Sequence, residues 1–144
     1  MDSKYIVVFI TVDSQENAQK ISNKLLTEKK AACVNIISKV ESQYWWQGKI
    51  ESANELMLIV KTRAALLDEL VTLVKGIHPY SAPEIIALPI IGGNEDYLQW
   101  IEKETTISSK IKSKGKLPQM LKKVTKDNLH NEVDYGPATG KELL

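Results

Sequence analysis

The side chains able to do chemistry are gathered in the middle of this chain. Glu55, Lys61, His78, Tyr80 and Glu84 fall within thirty residues, and the aromatic run Tyr44-Trp45-Trp46 precedes them. Glu55 and Glu84 are candidates for a carboxylate pair set against Lys61 or His78, or for plain structural ion pairs. Tyr44, Trp46 and Tyr80 supply ring faces and hydroxyls, the lining of a small-ligand cleft between subunits. The same residue types also anchor packed interfaces. Tyr44, Trp46, Glu55, Lys61, Tyr80 and Glu84 are therefore the candidate cleft residues. His78 is the only histidine before residue 104. Cys33 opens an apolar run with no base beside it in sequence and reads as a structural thiol.

No Ser/His/Asp or Cys/His arrangement, glycine-rich phosphate loop or carboxylate dyad is visible, so catalysis is not expected. Gly92-Gly93 reads as a turn. The 144 residues, 43% hydrophobic and 26% charged, suit one globular domain with an appendage. The net charge of +1 favours no charged partner. Its distribution is uneven: Met1–Lys103 holds 11 Lys and Arg against 13 Asp and Glu, whereas Glu104–Leu144 holds 8 lysines against 5 acids. One cysteine excludes an intrachain disulfide and points to a reducing, cytoplasmic setting. Tyr5–Thr11 is too short for a signal peptide or membrane span, so neither is expected.

A long hairpin must position these groups. Ala31–Thr62 is two extended arms of about 14 residues around Gln47-Gly48-Lys49, where Gly48 supplies a turn's positive φ; strands usually run ~5–6 residues. Before it, Lys4–Val12 reads as a strand apolar on both faces. Asp13 is the expected N-cap of a helix running to about Lys29. After the hairpin, Thr62 is the expected N-cap of a second helix with the stripe Leu66, Leu67, Leu70, Val71 and Val74, stopped at Gly76. His78–Pro83 is a proline-broken loop. Glu84–Ile91 is a fourth strand, with Pro89 marking an edge or bend, and Tyr97–Ile101 forms a short helix.

The order β-α-β-β-α-β plus a short C-terminal helix predicts an α+β, ferredoxin-like fold: one antiparallel sheet with helices on one face. The uncovered face, apolar by the alternation of strand one, requires a partner, and a closed homo-oligomer supplies one. The chain divides into a domain over 1–104, a Lys/Ser-rich flexible linker over 105–116 and a tail over 117–144.

These segments carry a resemblance. Ala32-Cys33-Val34-Asn35-Ile36, SQYWWQG over Ser42–Gly48, Glu55, Lys61-Thr62, HPYSAPEII over His78–Ile86 and YLQWI over Tyr97–Ile101 resemble the CutA family of divalent-cation tolerance proteins. The resemblance implies a homotrimer in which the long hairpins pack between subunits, without catalysis. In some CutA proteins a Cys on strand one and a His-His pair hold copper. The matching positions here are Ile10, Ile77 and His78, which leaves His78 as the candidate ligand for Cu(II) or another divalent cation. A lone imidazole is a poor site, and a hydrogen-bonded loop histidine is the competing reading. A small-molecule signalling trimer of the PII kind is a further expectation.

The tail is similar to the C-terminal segment of MazE/PemI-type antitoxins. Leu121, Thr125, Asn128, Leu129, His130, Glu132, Val133, Asp134, Tyr135-Gly136-Pro137 and Gly140-Lys141-Glu142 carry that likeness. It implies a trimer displaying segments that bind and inhibit a MazF-like ribonuclease toxin. The antitoxins' DNA-binding domain is absent, so no DNA partner is expected, and no membrane.

Overall fold

The computed structural model describes residues 2–107. The antitoxin-like residues 117–144, and residues 108–116 of the expected linker, lie outside the described residues.

The elements are β1 (Tyr5–Val12), α1 (Gln15–Thr27), β2 (Cys33–Trp46), β3 (Lys49–Arg63), a 3-10 turn at Ala64–Leu66, α2 (Leu67–Ile77), β4 (Ile85–Pro89) and α3 (Glu95–Thr105). The sheet runs β2-β3-β1-β4, and every pairing is antiparallel. This is the ferredoxin-like arrangement expected from the order of elements. No helix among the described residues is long and apolar enough to cross a membrane.

Alternation along β1 and β3 sorts the two faces. Val8, Ile10 and Val12 of β1, with Leu58 and Val60 of β3, are fully buried. They form one core with Ile21 and Leu25 of α1 and Leu70 and Val74 of α2. Burying such side chains contributes roughly 1.5–3 kcal/mol each. The intervening residues point to the second face. There the α3 helix reaches further than expected. Tyr5 Oη donates to Glu102 Oε2 (3.3 Å), and Arg63 Nε donates to Thr105 Oγ1 (2.8 Å). Leu98 and Ile101 are buried, outside the main core. So α3 covers the Tyr5–Arg63 end of the second face, which is less open than the sequence suggested. Elsewhere that face keeps Ile37, Ile86 and Leu88 exposed.

Several boundaries differ from expectation. Ser14, not Asp13, caps α1, its Oγ accepting from Asn17 N at 3.2 Å. Asp13 instead accepts from the Asn17 side chain at 2.8 Å. Thr62 does not cap a helix. It lies inside β3 opposite Ile6, fully buried, and its hydroxyl donates to the Lys30 carbonyl at 2.6 Å. A β-branched residue suits that buried strand position. Gly76 does not stop α2; the helix ends at Ile77, because Pro79 forces His78 into the extended region. β4 spans Ile85–Pro89 rather than Glu84–Ile91. Thr105 is the last residue of α3 rather than the start of a linker: its hydroxyl donates to the Ile101 carbonyl at 2.8 Å.

The hairpin turn has two central residues, Gln47 (φ 51) and Gly48 (φ 78), the geometry that twists with its strands. Midway along β2 the register shifts between Ile37 and Val40, with Lys39 at φ 64. Ile37 pairs with Met57 and Val40 with Glu55, so β2 uses one residue more than β3 across the bulge. Odd-numbered residues of β2 share the second face before the bulge, and even-numbered ones after it.

Candidate functional site

The bulge decides which aromatic residues meet Glu55. Beyond it, Tyr44 pairs with Glu51 and Trp46 with Lys49, on the face that carries Val40 and Glu55, while Trp45 pairs with Ile50 on the other. The loop after α2 folds toward this face. Together they enclose a cleft of about 750 Å³ whose walls include Tyr44, Trp46, Glu55, Tyr80 and Glu84. Five of the six residues expected there are thus brought together. Glu41, Gln43 and Ser81 also line it. The sequence did not single these out, because only the hairpin register and the loop path bring them in.

The floor is a chain of hydrogen bonds. Tyr80 Oη donates to Glu55 Oε2 at 2.9 Å. The Tyr80 backbone N–H donates to His78 Nδ1 at 3.0 Å. That leaves the proton on Nε2, which donates to the Thr11 carbonyl at 2.8 Å. The His78 and Tyr80 rings pack at 4.9 Å. Glu55 and His78 are both buried, at 7% and 9% exposure. Burial raises the Tyr80 phenol well above its usual range, and the Glu55 bond and charge push the same way. Tyr80 therefore stays a protonated donor to Glu55 throughout the neutral range.

Lys61 is the exception among the expected residues. It lies six positions beyond Glu55 on the same face of β3, roughly 20 Å along the strand, and is not part of the cleft wall. It pairs across the sheet with Cys33, with Nζ 3.9 Å from Cys33 Sγ and hydrogen-bonded to Asn35 Oδ1. Tyr97 joins this group; burial first, then Cys33, pushes its phenol up to about 12. Cys33 thus does have a cation beside it, supplied by strand pairing rather than by sequence proximity. A second depression, between α1 and α2, is lined by charged residues such as Lys30 and Glu69, which pair with each other at 3.4 Å.

Comparison with known proteins settles the family. The family described as CutA1 divalent ion tolerance protein matches residues 6–104. The chain belongs to the CutA1 family. It is 49% identical over 100 residues to "Protein CutA 1, chloroplastic" of Oryza sativa subsp. japonica, covering 69% of this chain and 56% of that protein. It is 48% identical over 99 residues to the "Divalent-cation tolerance protein CutA" of Thermus thermophilus, covering 69% of this chain and 96% of that protein. Among solved structures, CutA1 from Oryza sativa superposes with a TM-score of 0.71 at 47% identity, covering 74% of this chain and 97% of that one. The Thermus thermophilus protein gives 0.70 at 46% identity, covering 71% and 99%. The chain spans about half the length of the plant relatives it matches.

The copper positions suggested by the family likeness do not form a metal site in this fold. Ile10 is fully buried in the core, and Ile77 packs against it. His78 has its one lone pair committed to the Tyr80 N–H. Among the described residues no group of three or more His, Cys, Asp or Glu is placed to hold a metal ion. The residues present thus do not fit a Cu(II) centre, which needs several converging nitrogen, sulfur or oxygen donors.

Proposed function

We propose that this CutA1-family chain acts as a non-catalytic, homotrimeric binding protein whose ligand cleft lies between the hairpin and the Tyr80 loop. The observation that carries this reading is the hydrogen bond between buried Glu55 and half-buried Tyr80 at the floor of an aromatic-walled cleft. The volume, about 750 Å³, is in the range of small-molecule sites. Exposed Ile37, Ile86 and Leu88 on the second face support self-association. The free Cys33 suits a reducing compartment, which supports a cytoplasmic location. Relatives carry the words chloroplastic and periplasmic in their names.

A thermal-shift screen of small molecules against the wild type, Trp46→Leu and Tyr80→Phe tests the cleft. Compounds that raise the wild-type Tm and not that of the variants are expected. A screen without any such compound overturns the reading. For the metal, titration calorimetry of Cu(II) into wild type and His78→Ala is expected to give identical weak heats. A second reading concerns the tail. Its matched residues Leu121, Asn128, His130, Glu132, Asp134, Tyr135, Gly136, Pro137, Gly140 and Glu142 support capture of a MazF-like toxin. Co-purification with such a toxin, lost on truncation after Lys116, is the expected result.

A further inference from the structure

Two charges on the second sheet face lack an opposite charge in their own chain. Glu55 is 7% exposed, and its Oε2 accepts from Tyr80, a neutral hydroxyl. Oε1 has no hydrogen-bond partner among the described residues. No buried side-chain oxygen is left unpartnered there, so Oε1 is open to a donor from outside the chain. Lys61 is half-buried. Its Nζ is hydrogen-bonded to Asn35 Oδ1 and lies 3.9 Å from Cys33 Sγ, a group that holds no carboxylate. Ion pairs among the described residues join Lys4 to Glu102, Lys24 to Glu28, Lys29 to Glu104 and Lys30 to Glu69; neither Glu55 nor Lys61 belongs to one. The two do not meet within a chain, being roughly 20 Å apart along β3.

The ground between them is apolar. Met57 and Ile59 of β3 share this face with Val7 and Phe9 of β1, all four half-buried. Ile37, Ile86 and Leu88 stand exposed on it. A homotrimer that covers the face takes both charges out of water. Each is then costly unless an opposite charge compensates it.

Closed threefold symmetry supplies that compensation. In a ring, each copy offers one patch to one neighbour and a different patch to the next. The two ends of this face are different patches, and they carry opposite charge. Each chain gives Lys61 to one neighbour and Glu55 to the other, so three pairs form and neither charge is left over. Rival partners satisfy less. Two acids of α3, Glu102 and Glu104, are already held by Lys4 and Lys29, and a small ion from solution answers only one end.

We propose that Glu55 Oε1 pairs with the partner subunit's Lys61 across the trimer interface. The ammonium donates to the carboxylate, a charge-assisted bond. The cleft that Glu55 lines is thereby completed by a cation from the next chain. This rests on the homotrimer and adds the contact that fixes how neighbouring faces meet.

The test is the stability of the assembly in neutral isosteres. Light scattering in a urea series reads the midpoint at which the mass falls from three chains to one. Circular dichroism confirms that each variant is folded before urea is added. Lys61→Met and Glu55→Gln each remove one charge, and Gln keeps an acceptor for Tyr80. Each is expected to lower the midpoint, because it strands the other charge. The double variant should lie no lower than the worse single one. Residues roughly 20 Å apart in one chain ordinarily act additively, since additivity holds beyond ~7–10 Å. Non-additive shifts therefore report a contact between chains, and additive shifts overturn the pair. Unchanged midpoints in both single variants also overturn it. Coupling of Lys61→Met to Glu84→Gln rather than to Glu55→Gln overturns the assignment of Glu55. A trimeric wild type with additive variants leaves the homotrimer standing, whereas a monomeric wild type removes homotrimer and pair together.

Discussion

Tyr80 reaches back across 25 residues of sequence to set its hydroxyl 2.9 Å from Glu55 Oε2. The bond joins the proline-rich loop after α2 to the middle of β3 and fixes the distance between two walls of the cleft. Tyr80→Phe keeps the ring and deletes the donor. A buried acceptor left unpaired costs about 1–3 kcal/mol. Urea unfolding should show a lower midpoint with unchanged slope. A double-mutant cycle with Glu55→Ala should give a coupling of comparable size, and additive effects would deny the pair its role.

The same phenol predicts an alkaline limb of stability. Its folded pKa is raised above the ordinary 10.0, burial being the largest cause and Glu55 the next. A raised pKa gives stability that is complete below the unfolded value and lost as pH rises from about 10 through the folded value. Tm should therefore be insensitive to this group at neutral pH and fall above pH 10. In Tyr80→Phe that fall should be shallower. Tyr97, pushed up to about 12, contributes to the residual slope, which Tyr97→Phe should reduce further.

His78 joins two backbone segments through its ring, the Thr11 carbonyl and the Tyr80 N–H. His78→Ala deletes both bonds and a buried ring, so a loss of about 2–4 kcal/mol is expected from the cavity and the orphaned polar groups. The effect should extend to the cleft, seen as a larger accessibility of Trp46 to a neutral fluorescence quencher. A destabilised variant with unchanged quenching would separate the histidine from the cleft.

Lys39 adopts φ 64 at the β2 bulge, a conformation that costs an L-residue roughly 1–2 kcal/mol. Lys39→Gly should therefore be neutral or slightly stabilising, and Lys39→Val destabilising by about 1–2 kcal/mol or more, because branching at Cβ makes that region worse. Equal melting temperatures for the two variants would contradict this.

Ile86 and Leu88 stand 52% and 45% exposed on the second sheet face. A charge placed in a face covered by another copy should break the assembly. Ile86→Asp and Leu88→Asp are expected to shift the mass seen by light scattering from three chains to one. A wild type that is already monomeric at micromolar concentration would overturn the homotrimer.

Much of this was legible from local pattern. The doubly apolar β1, the long arms and the turn at Gly48 carry their own signals, because alternation and glycine act over a few residues. Tyr44, Trp46, Glu55, Tyr80 and Glu84 were legible as candidates by type. Their convergence was not, since it depends on which arm residues share a face. Lys61 has the right parity and the wrong distance, a fact that only register reveals. Thr62 reads as a cap by residue type, and its pairing with Ile6 overrode that preference. The end of α3 was hidden because Thr105 is buried through bonds to Arg63 and Ile101 rather than through apolar character. The bulge left no mark at all: no glycine announces it, and a lysine takes the strained angle.

That unannounced bulge gives β2 one residue more than its pairing needs. Removing one residue between Ile37 and Val40 would restore one-to-one pairing, Ile37 with Met57 and Val40 with Glu55, and leave Tyr44 opposite Glu51 and Trp46 opposite Lys49. The extra residue is thus slack that the outer arm can lose without turning over. The face its aromatic side chains take is held by their partners on β3, not by the number of residues that precede them.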